Sequence, residues 1–170
     1  MILAHKIALD ATVKQRRYFE QASGCDRFVW NLAVEEWNRQ YAEYKASKAA
    51  GKPDRSLKPS GARIKKAFNE FKYLAFPWLE QIHRDAHADA FERLGKAWSK
   101  HFKSPETCGR PAFHKKGHKA SFYIANDKLR IIRDKSGSRV RLPVVGWVRM
   151  RLLLVLNVIE LLASLGKSRL

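Results

Sequence analysis

The sequence predicts an α+β protein: a block of helices inserted between a first strand and a small antiparallel sheet or barrel. Three observations carry this. The first ten residues alternate loosely in polarity, apolar residues then recur at three- and four-residue steps as far as residue 102, and from residue 120 the period falls to two. No internal repeat interrupts the pattern.

"ILAHKIAL" places Leu3, His5, Ile7 and Leu9 on one face and reads as a strand. Thr12 followed by Gln15 is a capping-box pattern, which opens a short helix running to about Ser23 with Gly24 positioned to stop it. A longer helix continues from Asp26, with Trp30, Ala33, Trp37, Tyr41 and Tyr44 forming an aromatic face. Gly51, Pro53, Pro59 and Gly61 mark a basic loop. "ARIKKAFNEFK" then makes a helix with Ile64, Phe68 and Phe71 inward and Arg63, Lys65, Lys66 and Lys72 largely outward. Pro77 opens a further helix in which His83, His87, Phe91, Leu94, Trp98 and Phe102 share a face, and Pro105 ends it.

"ASFYIAN", "KLRIIRD", "RVRLP" and "GWVRMR" are short strands, with "KSGS" turning between the second and third. Phe122, Ile124, Val140, Leu142, Val148 and Met150 would face a core. Arg130, Arg139, Arg141, Arg149 and Arg151 would decorate the exposed face, and the first strand could complete the sheet.

The chain of 170 residues has room for one domain or two small ones, and its 45% hydrophobic content with five tryptophans argues against disorder. Its charge is the stronger signal: 34 Lys and Arg against 16 Asp and Glu, a net of +18. The excess is local. Residues 108–151 hold twelve basic and two acidic side chains, whereas residues 77–107 hold five of each. Such a footprint calls for a polyanionic partner, a nucleic acid first and an anionic membrane surface second. Two cysteines, Cys25 and Cys108, are too few for a disulfide scaffold, and the start lacks a secretory signal pattern, so a cytoplasmic location is expected.

Cys108, His114 and His118, with Cys25, offer four zinc ligands, but no tight Cys-x2-4-Cys pair is present. His83 and His87, beside Asp85 and Asp89, lack the Glu and third ligand of an H-E-x-x-H site and read as a packed or nucleic-acid-facing pair. The strand region has Asp127 and Asp134 alone, too few carboxylates for two-metal phosphodiester hydrolysis. No phosphate-binding loop or nucleophile elbow occurs. No active site, metal or cofactor is therefore expected. "FHKKGHKASFY" and "RVRLPVVGWVRMR" instead mix cations, which neutralise phosphates, with rings on which bases stack. The plainer alternative makes Phe122 and Trp147 simply core.

"CDRFVWNLAVEEWN", "PWLEQIHRDAHADAFERLGKAWSKHF", "GRPAFHKKGHKASFYIAN" and "VRLPVVGWVRMR", in this order over residues 1 to about 151, resemble the N-terminal half of the TnpB/OrfB proteins of bacterial insertion sequences. These are RNA-guided nucleases related to type V CRISPR effectors. The resemblance implies an oligonucleotide-binding-like wedge barrel with an inserted helical recognition lobe, and a helix-turn-helix DNA-binding region in the first helical segment. Residues 1–10 would be the first barrel strand, 11–107 the lobe, 108–151 the rest of the barrel, and 152–170 an apolar tail outside the family pattern.

The resemblance also implies a guide RNA and double-stranded target DNA as partners, and a nucleoid-associated location. "RFVWN" supplies Arg27 and Asn31; "GRPAFHKKGHKASFY" supplies Arg110, Lys115, Lys116, Lys119 and Tyr123. The helix that helps read the DNA motif beside the target would begin near His83, bringing His83, Arg84 and His87, where the family often carries Ser and Gln. Lys65 and Lys66, with the five sheet arginines, complete the expected contacts. Family members continue into a RuvC-like nuclease domain, so a truncated chain that binds without cutting is expected. Its tail is too short to span a bilayer and is a candidate for self-association. A stand-alone DNA-binding regulator, a basic RNA-packaging or ribosome-associated protein and a membrane-surface protein are the alternatives.

Overall fold

The capping box at residues 12–15 is where the first helix begins. The Thr12 N–H donates to Gln15 Oε1 at 3.0 Å and the Gln15 N–H donates to Thr12 Oγ1 at 3.3 Å, satisfying two donors that a helix start leaves without partners. The computed structural model of the protein describes residues 6–52, 54–117, 120–125, 130–135 and 137–151. The expectations placed on residues 1–5, His118, Lys119, Asp127 and the tail 152–170 lie outside them.

Helix α1 spans Val13–Ala49 without interruption. Gly24 does not end it, contrary to the sequence expectation. A glycine inside a helix costs about 1 kcal/mol, whereas Ala22, Cys25, Val29 and Trp30 on either side of it are buried, and burying large apolar side chains such as Val29 and Trp30 outweighs that cost. Helix α2 spans Gly61–Ala75, with Ser60 as N-cap accepting from the Arg63 N–H at 3.1 Å. Helix α3 spans Arg84–Lys103. It starts later than Pro77 because residues Pro77–Gln81 form a separate 3-10 turn and Ile82 is extended. Leu79 and Ile82, 0% and 7% exposed, pull that turn onto the core.

Contacts divide the chain into two units. The helical unit runs from Phe19 to Ala125. Its core is aromatic: the Trp37 and Trp98 rings stack at 5.6 Å with planes 6° apart, and Phe68 meets Phe91 at 5.4 Å. The buried stripe of α2 is Ile64, Phe68 and Lys72, stepping by four. Phe71, expected inward, is instead 41% exposed, and Lys72, expected outward, buries its stem. Lys72 Nζ donates to Asn69 Oδ1 at 2.8 Å and lies 4.6 Å from the Tyr73 ring centroid, which lets an amphipathic side chain take a core position. Gly61 permits α2 and α3 to touch, since a Cβ there would sit 2.6 Å from the Phe91 carbonyl oxygen.

Residues 120–125 were expected as a strand and pair with none among the described residues. They run along the helices: Phe122 packs on Phe19 at 6.0 Å and the Ala125 N–H donates to Asp85 Oδ2 at 3.0 Å. Residues 108–125 thus group with the helices, although their charge groups them with the sheet.

The other unit joins the described residues up to Tyr18 with those from Arg130 to Arg151. Strands β1 (Leu9–Asp10), β2 (Arg130–Asp134), β3 (Gly137–Leu142) and β4 (Gly146–Met150) form an antiparallel sheet in the order β1-β4-β3-β2. Its two edges do not pair with each other among the described residues. Three of the four expected inward residues of β3 and β4, Val140, Val148 and Met150, are buried, with Leu142 half-buried. The architecture is α+β, with three α-helices and a four-stranded antiparallel sheet among the described residues. No helix among the described residues is long and apolar enough to cross a membrane.

Candidate nucleic-acid interface

Strand register decides which side chains share a face, because residues directly opposite one another project to the same side. Arg130 lies opposite Arg141, which lies opposite Trp147; Ile132 lies opposite Arg139, Arg139 opposite Arg149, and Arg149 opposite Asp10. One face therefore carries Arg130, Arg139, Arg141 and Arg149 with Trp147. The other carries Val140, Ser138, Val148 and Met150, all at most 8% exposed. Arg130, Arg141, Arg149 and Arg151 are exposed and Arg139 is half-buried. The expected separation of Arg130, Arg139, Arg141 and Arg149 from the core is realised, although Arg133, opposite Ser138, falls on the other face; Trp147, 38% exposed, belongs to the arginine side and not the core.

In the helical unit, "RFVWN" and "GRPAFHKK" meet. The Trp30 Nε1–H donates to the Ala112 carbonyl at 2.9 Å, and the Trp30 ring stacks on the His114 ring at 4.6 Å with planes 5° apart. Asn31 Nδ2 donates to the His114 carbonyl at 3.1 Å, while Asn31 Oδ1 accepts from the His114 N–H at 2.8 Å. Asn31 was expected to touch nucleic acid; its amide is occupied in holding this loop. The clamp leaves Arg110, Lys115 and Lys116 exposed on a fixed backbone.

Beneath the clamp, Asp26 is 4% exposed and ion-pairs with Arg93, which also reaches Asp89 Oδ2 at 2.7 Å and lies 5.4 Å from the Trp30 ring centroid. Burial pushes the Asp26 carboxyl up from its ordinary value, with the Arg93 hydrogen bond and charge opposing. Arg27 is half-buried and lines the polar cavity that Asp26, Arg93 and His114 also line.

His87 is 1% exposed and packs against Phe68, so it is a core residue and not an interface one. Burial, then the charge of Lys72, lowers its pKa to about 4, which keeps the ring neutral. His83 is the N-cap of α3, its Nδ1 accepting from the Asp85 N–H at 3.3 Å, so the helix begins where the family resemblance places it. Arg84, Lys65, Lys66 and Tyr123 are exposed. Lys65 and Tyr123 border a cavity also lined by Asp85, Asp89 and Glu92, whose carboxylates disfavour a phosphate there.

Of the four residues considered for zinc, His118 lies outside the described residues. Burial and the Asp26 charge push the Cys25 thiol up to about 12. No group of three or more His, Cys, Asp or Glu among the described residues could hold a metal. The sequence reading missed Asp10 and Gln15 as neighbours of the arginine face. Gln15 Nε2 donates to the Trp147 carbonyl at 2.9 Å, and only the pairing of β1 with β4 places Asp10 beside Arg149.

Nothing among curated proteins matches the chain. Residues 1–46 match the family of helix-turn-helix domains of IS605 OrfB proteins. In the structure, residues 13–46 of that span lie in one continuous helix. The matched span contains Arg27 to Asn31, the half of the clamp that α1 contributes, and residues 1–46 are thus similar to the N-terminal helix-turn-helix region of IS605 OrfB-type proteins.

Proposed function

We propose that the protein binds nucleic acid through the arginine face of its sheet, as the binding portion of a TnpB/OrfB-type system that holds a guide RNA and target DNA. The observation that carries this is the register: Arg139 opposite Arg149 and Arg130 opposite Arg141. Like charges directly opposite each other destabilise a sheet. A phosphate backbone laid across them turns that cost into attraction. The sheet is then the wedge barrel, the helices are the recognition lobe, and the clamped stretch from Arg110 to Lys116 is a second basic contact. The role assigned to these residues is binding; the chain should leave labelled single- and double-stranded DNA intact with magnesium or manganese, and cutting that copurifies with it would refute that.

Salt titration tests the reading. With about six phosphates neutralised on a duplex, log K should fall against log salt with a slope of roughly −5. Replacing Arg139, Arg141 and Arg149 together by Gln should flatten it by about two to three units. An unchanged slope would move the footprint to the helical unit. A second reading, a stand-alone DNA-binding regulator, is favoured by the helix-turn-helix match. Sequence-specific duplex binding with no RNA present would select it.

A further inference from the structure

A cavity of about 410 Å³ opens on the arginine face at the start of α1, lined among others by Asp10, Thr12, Gln15, Arg139, Trp147 and Arg149. The capping pair and the Gln15–Trp147 hydrogen bond hold its walls in place. Trp147 differs from the other four tryptophans. Trp30 stacks on His114, Trp37 and Trp98 stack on each other, and Trp78 meets Phe28 edge-on at 5.4 Å. Trp147 belongs to none of these ring pairs, is 38% exposed and lines the cavity. Asp10 is the second unusual feature. A carboxylate opposite Arg149 weakens a site meant for phosphate alone, but it accepts hydrogen bonds from the N–H groups of a base.

We propose that this cavity takes one nucleotide of a single strand: the base stacks on Trp147, the flanking phosphates meet Arg139 and Arg149, and Asp10 accepts from the base edge. Guanine is the preferred base, because its N1–H and N2–H are adjacent donors suited to one carboxylate. Uracil offers one N–H flanked by two carbonyl oxygens that repel Asp10. A base inside a duplex is stacked on both faces and paired along this edge, so it enters only if flipped out. The inference rests on the proposed nucleic-acid binding by the sheet and adds single-strand and base selectivity to it.

The test measures binding of the full chain to fluorescent eight-nucleotide RNAs, one all uridine and one with a single central guanosine, beside a DNA duplex. The wild-type chain should bind the guanosine RNA several-fold more tightly than the uridine RNA. Trp147→Leu should weaken both single strands roughly tenfold, the scale of base–aromatic stacking, a clearly larger loss than on the duplex, and Trp147→Phe should retain most of the binding. Asp10→Asn should erase the guanosine preference. Single-strand affinity unchanged in Trp147→Leu, or equal losses on single strand and duplex, overturns the stacking site. A guanosine preference that survives Asp10→Asn, or is missing from the wild type, overturns the base reading. If the triple arginine variant weakens binding but Trp147→Leu does not, the cavity inference fails alone. If the triple variant binds every probe as the wild type does, the sheet-binding reading fails with it.

Discussion

Asn31 grips the backbone of His114 from both sides, donating to its carbonyl at 3.1 Å and accepting from its N–H at 2.8 Å. One side chain on α1 thereby fixes the conformation of a loop 83 residues further along the chain. The Trp30–Ala112 bond and the Trp30–His114 stack reinforce it. The next two lysines, Lys115 and Lys116, are presented from an anchored backbone.

Removing the clamp should loosen the loop before it melts the protein. Asn31→Ala deletes two hydrogen bonds at a partly exposed site, worth together about 1–2 kcal/mol. Brief trypsin treatment should cut at Lys115 or Lys116 several-fold faster in the variant, with little change in the far-UV spectrum. Asn31→Asp keeps the acceptor for the His114 N–H and should fall between. Equal cleavage of Asn31→Ala and wild type would show that the clamp does not order this loop.

His87 sets an acid limit on stability. Its folded pKa, about 4, lies below its ordinary value of 6.5 through burial and the charge of Lys72, opposed by Asp85. The unfolded chain therefore binds the proton more readily, so the stability due to neutral His87 is complete above 6.5 and is lost as pH falls toward about 4. The full loss corresponds to roughly 3 kcal/mol. His87→Leu, which cannot titrate, should lose less stability than wild type between pH 7 and pH 4.5 in urea melts. Parallel losses in the two proteins would contradict it.

Gly61 should resist substitution although it lies at an ordinary helical position. A methyl group there would meet the Phe91 carbonyl oxygen at 2.6 Å, backbone that cannot swing aside. Helix propensity favours alanine by about 1 kcal/mol, but forcing α2 from α3 costs roughly 1–3 kcal/mol. Gly61→Ala should therefore lower the melting temperature, and a raised one would mean that the helices separate freely at this point.

Val144 stands at φ 66° in the turn between β3 and β4, with the Val145 N–H donating to the Pro143 carbonyl at 2.7 Å. This tight three-residue turn is strained for a β-branched residue. Such a conformation costs of order 1–3 kcal/mol, whereas a glycine adds roughly 0.4–1 kcal/mol of unfolded-state entropy. Val144 is 64% exposed and gives up little packing. Val144→Gly should stabilise the protein by about 1 kcal/mol, and calorimetry showing a loss would mean that the valine side chain matters more than its backbone.

Sequence by itself determined what depends on near neighbours. Thr12 and Gln15 read as a capping box and are one, because both partners lie within one helical turn. Alternation in "RVRLP" and "GWVRMR" separated Arg139, Arg141 and Arg149 from Val140, Val148 and Met150, since a strand's period of two assigns faces without a partner. Tertiary structure decided everything that required a second element. Gly24 stays helical because packing around it outweighs its propensity. Residues 120–125 follow the helices because Asp85 and Phe19 hold them there. His87 is core because α2 covers it with Phe68, and no pattern along α3 distinguishes that from a face turned to nucleic acid. Asn31 became a clamp, and Asp10 a neighbour of Arg149, through contacts between residues 83 and 139 positions apart, distances over which a sequence pattern carries no register.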